Sequence, residues 1–417
     1  MKKLIQTASL LSAGAAVFSL SPVLAAEGQG KPWGVSLGLR GFYDDNIFTG
    51  NNKDPQNPRE YDAFGFEVTP GVRLVMPLEQ SSLKVGYNYG FRWFDDRPGR
   101  DYDQFHLADV TFAHNFNTRH SVDVYDSFAL AQEPEQVAPV SMIPGTASQF
   151  LRSQGDNLRN TAGLDFSSQW APRFSTVVGY RNNLFDYDFA PFAAVLNRME
   201  HLPQLNLRYH LTPATLAGVG YQYGITDYSD ADYRDQRSHY VFGSLDHSFS
   251  SQLVTALRAG AQIIDWYNAP LVTGVRDDAV SPYVDFNTTY AYTAGSNAQL
   301  GVRYARNATD VDVIATPQSV YDQLSILVYG SVNHAITAKL KGSLIAMYQS
   351  SEFIGVSTAS QLDGANEDFV SVGLSLSYAF TRYLSGEASY FYDHLGSAID
   401  FRTFNRNRVF LGVRMTY

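Results

Sequence analysis

The last ten residues, Arg408 to Tyr417, read RVFLGVRMTY. Val409, Leu411, Val413, Met415 and Tyr417 share one parity, and Arg408, Phe410, Gly412, Arg414 and Thr416 share the other. Successive side chains of a strand point to opposite faces, so this is a strand with one apolar and one mostly polar face. A soluble edge strand ending at the chain terminus would leave a row of open backbone groups. In a closed membrane barrel the last strand pairs with the first and no edge remains. The alternative is one exposed strand of a soluble sandwich, and the rest of the chain decides between the two.

The same alternation recurs upstream. Leu83, Val85, Tyr87, Tyr89, Phe91 and Trp93 oppose Lys84, Gly86, Asn88, Gly90 and Arg92, and Val370, Val372, Leu374, Leu376 and Tyr378 oppose Ser371, Gly373, Ser375 and Ser377. Alternating runs and the punctuation between them predict strands at 33–43, 62–75, 81–94, 102–116, 120–131, 157–170, 173–187, 198–211, 214–227, 236–249, 252–266, 280–293, 297–307, 321–335, 337–349, 367–380, 383–394 and 405–417. The connections alternate as well. Short ones such as Ala171-Pro172, Thr212-Pro213 and Thr381-Arg382 are followed by long polar ones such as NNKDPQNPREYD from Asn51 and SDADYRDQ from Ser229. Outer-membrane barrels have short periplasmic turns and long outer loops, whereas a sandwich has no reason to segregate them. The expected fold is therefore all-β: a transmembrane antiparallel up-and-down β-barrel of about 18 strands, within 16–18.

The N-terminus adds an address. Lys2 and Lys3 precede an apolar, small-residue run ending in Leu24-Ala25-Ala26, the layout of a secretory signal peptide. Residues 1–26 are read as removed and 27–417 as one outer-membrane barrel domain with a periplasmic N-terminus. A mean hydropathy of −0.20 does not contradict this, because strands that alternate apolar-out and polar-in average to neutral. The 27 Tyr and 27 Phe suit aromatic belts at the two membrane interfaces, with Tyr43, Trp93, Trp170, Tyr180, Tyr209, Tyr348 and Tyr417 among the candidates. The absence of Cys removes thiolate metal sites, haem attachment and cysteine catalysis, and the net charge of −10 argues against a nucleic-acid partner.

Tyr43-Asp44-Asp45-Asn46-Ile47 closes the first predicted strand and Arg181-Asn182-Asn183-Leu184-Phe185-Asp186-Tyr187 closes the seventh. With the final VFLGVRMTY they resemble a family of outer-membrane β-barrel porins that carry a "YDDNI" start, some of whose members resemble exopolysaccharide-export barrels. The resemblance covers the mature chain and implies about 18 strands with no catalytic residues to carry over. The terminal strand likewise resembles the signal read by the barrel-assembly machinery, with Val413, Met415 and Tyr417 as its residues.

A barrel of 16 to 18 strands leaves an aqueous lumen, so the expected function is passage of polar solutes. Arg40, Arg73, Lys84, Arg92, Arg181, Arg208, Arg258, Arg303, Lys339, Lys341 and Arg414 fall on faces assigned to the lumen, against Glu67, Asp109, Asp123, Asp165, Asp285 and Glu387. That makes the wall net basic by about five charges if each strand is phased correctly. A basic pore prefers anions, such as acidic sugars or small organic acids; bracing of the barrel by ion pairs is the competing role. The loop from Ala131 to Asp156 contains Val137, Val140, Met142, Ile143 and Phe150, unusually apolar for an outer loop, and is expected to fold inward as a constriction. The other functions considered are an export conduit joined to periplasmic components and a purely structural or adhesive barrel. About six residues separate Ala26 from Trp33, too few for the plug domain of an energy-coupled transporter. The expected surroundings are outer-membrane lipid and lipopolysaccharide. No cofactor or metal is expected, and the oligomeric state is not encoded in any visible seam. Nine His are scattered with many at strand ends, and neither G-x-S-x-G nor H-E-x-x-H occurs, so an enzyme is not expected.

Overall fold

A computed structural model describes residues 31–51, 60–131, 156–269, 274–307, 309, 320–357, 362–399 and 402–417. The strands are β1 (Trp33–Asp44), β2 (Ala63–Pro77), β3 (Ser81–Phe94), β4 (Tyr102–Asn115), β5 (His120–Ala131), β6 (Asn157–Ala171), β7 (Phe174–Tyr187), β8 (Arg198–Thr212), β9 (Thr215–Tyr228), β10 (Gln236–Ser248), β11 (Leu253–Asp265), β12 (Asp278–Thr293), β13 (Ser296–Asn307), β14 (Val320–Ala335), β15 (Leu340–Gly355), β16 (Asn366–Ala379), β17 (Leu384–Ser397) and β18 (Phe404–Thr416). Each pairs antiparallel with the next, and β1 also pairs with β18, which closes an 18-stranded barrel. A short helix α1 (Ala190–Leu196) sits in the β7–β8 loop. Among the described residues no helix is long and apolar enough to cross a membrane.

The closure lies where the C-terminal stretch puts it. Leu39 faces Val413 and Leu37 faces Met415 across the β1–β18 seam. Val35 and Tyr417 exchange both backbone hydrogen bonds, at 2.9 and 2.8 Å. The Tyr417 ring lies 6.0 Å from that of Trp33 and 5.8 Å from that of Tyr383, with Lys31 Nζ 4.0 Å from its centre. The terminal residue thus completes the last rung.

One parity of every strand is apolar and exposed, as at Leu39, Phe66, Val72, Val110, Val178, Leu205, Val241, Leu300, Leu344, Leu374 and Leu411. This is the lipid-facing belt, and no soluble protein would leave so much contiguous apolar surface. The opposite parity lines the interior and is rich in Gly, Ser, Asn and charge. Neighbouring inner positions are often a glycine beside an aromatic: Phe105 covers Gly90, Tyr125 covers Gly163, Phe242 covers Gly220 and Tyr329 covers Gly301, each ring lying where a Cβ would otherwise stand. Eight connections at one end are short turns, and the long ones gather at the other.

The boundaries depart most from expectation at β15. Leu340–Gly355 replaces the predicted 337–349, because Thr337 Oγ1 accepts from the Lys339 and Leu340 amides and makes 336–339 a turn. Lys339 is therefore an exposed turn residue and not part of the wall, a correction to its assignment to the lumen. Residues 1–26 and the candidate constriction residues Val137, Val140, Met142, Ile143 and Phe150 lie outside the described residues.

Candidate functional site: the inner wall

The wall follows from cross-strand register, because residues paired between neighbouring strands share a face. Arg40 faces Glu67, and Glu67 faces Arg92, across β1, β2 and β3. Arg73, Lys84, Arg181, Arg208, Arg258, Arg303, Lys341 and Arg414 take the same inner parity on their strands. The register adds four bases, Arg159, Arg198, Arg406 and Arg408, and six acids, Asp44, Asp103, Glu200, Asp246, Glu367 and Asp393. The alternation already contained them: Arg406 and Arg408 share the parity of Arg414, and Asp393 that of Glu387. With them included, the basic excess shrinks well below the five charges expected from sequence.

Many of these groups are paired. Glu67, 1% exposed, takes Arg40 at 2.7 Å on one oxygen and Arg92 at 2.9 Å on the other. Arg414 Nε donates to Glu387 at 2.8 Å, Arg408 to Asp393 at 2.7 Å, and Arg406 Nε to Asp44 at 3.0 Å. The Arg40 guanidinium lies 4.4 Å from the Phe410 ring centre. Together these pairs stitch β17, β18, β1, β2 and β3 across the seam. On the far side Arg303 holds Asp285 at 2.6 Å. The bracing role considered at the sequence level therefore applies to Arg40, Arg92, Arg303 and Arg414.

Between these zones lies a different arrangement. Ser175, Arg208, Gly218, Ser244 and Arg258 are successive partners across β7 to β11. Gly218 leaves room beside the Ser244 hydroxyl and the Arg208 stem. Arg181 Nε donates to Tyr125 Oη at 2.7 Å, while its Nη1 and that of Arg258 are buried without a hydrogen-bond partner. Among the described residues, Arg181, Arg208 and Arg258 make no ion pair. Nearer the short turns, Lys84 and Asp109 are exposed to the lumen and line one pocket with Arg73 and Asn88, and Lys341 is exposed on β15.

The loop end is packed. Ile264, Trp266, Tyr321 and Val356 form a buried cluster, with the Trp266 and Tyr321 rings stacked at 4.4 Å. Arg234, 1% exposed, donates to the carbonyls of Val195, Thr309 and Tyr321 and so ties three loops together. Arg402 reaches inward from the β17–β18 loop to Glu367 at 2.7 Å. Arg276 Nη2 donates to Asp363 at 3.0 Å. That bond, with the Gly355 amide, holds the Asp363 carboxyl below the usual carboxylate range despite some burial. Burial pushes Asp235 the other way, although the Tyr228 amide and the Asn268 side chain both donate to it. Among the described residues no cluster of His, Asp or Glu is arranged to hold a metal ion.

One protein family, described as "Putative beta-barrel porin 2", matches residues 315–417, which hold β14 to β18. The chain is a closed 18-stranded β-barrel whose last five strands match that family. A search of curated proteins finds no match. Among solved structures, OpdK of Pseudomonas aeruginosa with vanillate aligns over 92% of this chain and 99% of its own, at 11% identity and a TM-score of 0.46. OccK9 (OpdG) of the same organism aligns over 92% and 98%, at 12% and 0.46. A BenF-like porin from Pseudomonas fluorescens Pf-5 aligns over 92% and 99%, at 10% and 0.45.

Proposed function

We propose that this barrel is an outer-membrane channel for polar solutes that favours anionic ones, such as small organic acids or acidic saccharides. The reading is carried by the Arg181, Arg208 and Arg258 side of the wall, where three guanidinium groups have no carboxylate at ion-pair distance among the described residues. Unpaired positive charge on a low-dielectric wall raises the local concentration of anions and repels cations. The paired arginines elsewhere keep the wall rigid and contribute little net field.

The test is planar-bilayer conductance of the refolded chain under a salt gradient. The native barrel should give open steps with an anion-selective reversal potential. Replacing Arg208 and Arg258 by Gln should lower the anion-to-cation permeability ratio several-fold, while Arg237→Gln on the outer face should leave it unchanged. Cation preference in the native barrel, or a double variant with unaltered selectivity, would sink the reading.

A second reading draws on the packed loop end. The Arg234 tie and the Trp266–Tyr321 stack bind the long loops to one another, as suits a conduit that opens only with a periplasmic export complex. A correctly folded barrel without conductance would favour that reading.

A further inference from the structure

Eight of the nine histidines share an arrangement that channel function does not use. His106, His201, His239 and His394 point to the lipid face three or four residues inside the loop ends of β4, β8, β10 and β17. His114, His120, His247 and His334 point to the same face at the short-turn ends of β4, β5, β10 and β14. Only His210 takes the inner parity.

Each of the eight is tethered through Nδ1. The outer four bond to the hydroxyls of Tyr87 (2.9 Å), Tyr180 (2.7 Å) and Tyr221 (2.7 Å) and to the Asn405 side chain (2.8 Å). The inner four bond to Ser81 (2.8 Å), Ser168 (2.9 Å), Thr215 (2.8 Å) and Tyr292 (2.9 Å). No Nε2 makes a hydrogen bond among the described residues. So every ring is held in orientation while its second nitrogen stays available.

The two rings bracket the apolar belt. His106 and His114 are eight residues apart on β4, and so are His239 and His247 on β10. The outward residues between them are uncharged: Ala108, Val110 and Phe112 on one strand, Val241, Gly243 and Leu245 on the other. Eight residues of strand span about 27 Å, or about 20 Å of membrane depth at the usual tilt, close to the ~25 Å apolar band of such barrels. The imidazoles therefore stand where hydrocarbon gives way to headgroups.

We propose that these histidines form two girdles that bind lipid phosphate, one at each headgroup layer, with Nε2–H donating to phosphate oxygens. The proposal rests on the membrane-barrel fold and not on the channel reading. A protonated imidazole hydrogen-bonds phosphate about twice as strongly as a neutral donor. Other charges face the same zone. Asp126, Asp227, Asp265 and Asp368 are on neighbouring strands of the outer girdle and Arg237 is on β10, while Glu79, Arg119 and Lys339 lie in turns adjoining the inner one. The carboxylates oppose anionic lipid and are offset where the girdles become cationic.

The experiment measures the temperature at which the refolded barrel loses its heat-modifiable form. It compares phosphatidylcholine vesicles with and without phosphatidylglycerol, at about pH 8 and about pH 5.5. Acidification should raise the transition by several degrees in the anionic vesicles and little in phosphatidylcholine alone. The quadruple variants H106Q/H201Q/H239Q/H394Q and H114Q/H120Q/H247Q/H334Q should fold at pH 8 as the native chain does and each lose part of the gain. A full gain in both variants would assign it to the carboxylates and overturn the proposal. So would an equal gain in phosphatidylcholine on adding inorganic phosphate, which would mean a site for the free ion.

Discussion

Glu67 shows what one carboxylate does for this wall. It is almost wholly buried, its two oxygens shared between Arg40 and Arg92. Removing its charge takes away the carboxylate that Arg40 and Arg92 share, a loss worth about 3–5 kcal/mol for a buried pair. Glu67→Gln should therefore lower the urea midpoint of the refolded barrel, whereas Glu352→Gln, on the outward parity of β15, should not. The Asp363–Arg276 clasp at the loop end acts through pH. The carboxyl is held below its ordinary value by that bond. Its contribution is therefore complete at neutral pH and is lost only as pH falls through the lowered pKa, below the ordinary ~3.9 of an aspartate. Because the clasp is partly exposed it is worth at most about 1 kcal/mol. Asp363→Asn should speed amide exchange at Gly355 and Phe353 at pH 7, with little change to the global transition.

At the scale of the strand, the alternation was legible because a period of two survives any loop, and it located all eighteen strands. It also put Arg40, Arg92, Arg208 and Arg303 on the inner parity that the register gives them. What it could not show was pairing. Arg40, Arg92 and Arg208 look alike in sequence, but only the register shows that two of them converge on Glu67 while the third lies beside Gly218. The Lys339 error has the same origin, since a turn begun by a Thr hydroxyl leaves the parity of its neighbours looking strand-like. The histidines are scattered along the chain and gather into girdles only through the barrel. β18 carries the prediction at this scale. Deleting Tyr417 removes both terminal hydrogen bonds to Val35 and the ring contacts with Trp33 and Tyr383. The seam should then close more slowly, giving a smaller heat-modifiable fraction at early times of folding into vesicles. Tyr417→Phe keeps the ring and the backbone and should fold at the native rate. Equal slowing in both would assign the effect to the hydroxyl and refute closure by the rung.

For the whole molecule, the division of short turns from long loops predicts an orientation. Periplasmic turns are short because the barrel inserts from that side, and every turn must cross the membrane region only as paired strand or not at all. The end that holds Trp33, Tyr417 and the eight short turns should then face the periplasm, and the packed loop cluster around Arg234 should face outward. The chain has no Cys, so a single introduced thiol reports its own side without background. Asp230 is exposed in the β9–β10 loop and Ala214 in the β8–β9 turn. A membrane-impermeant maleimide should label Asp230→Cys on intact cells and Ala214→Cys only after the outer membrane is opened. The reverse pattern would place the packed cluster in the periplasm and overturn this orientation.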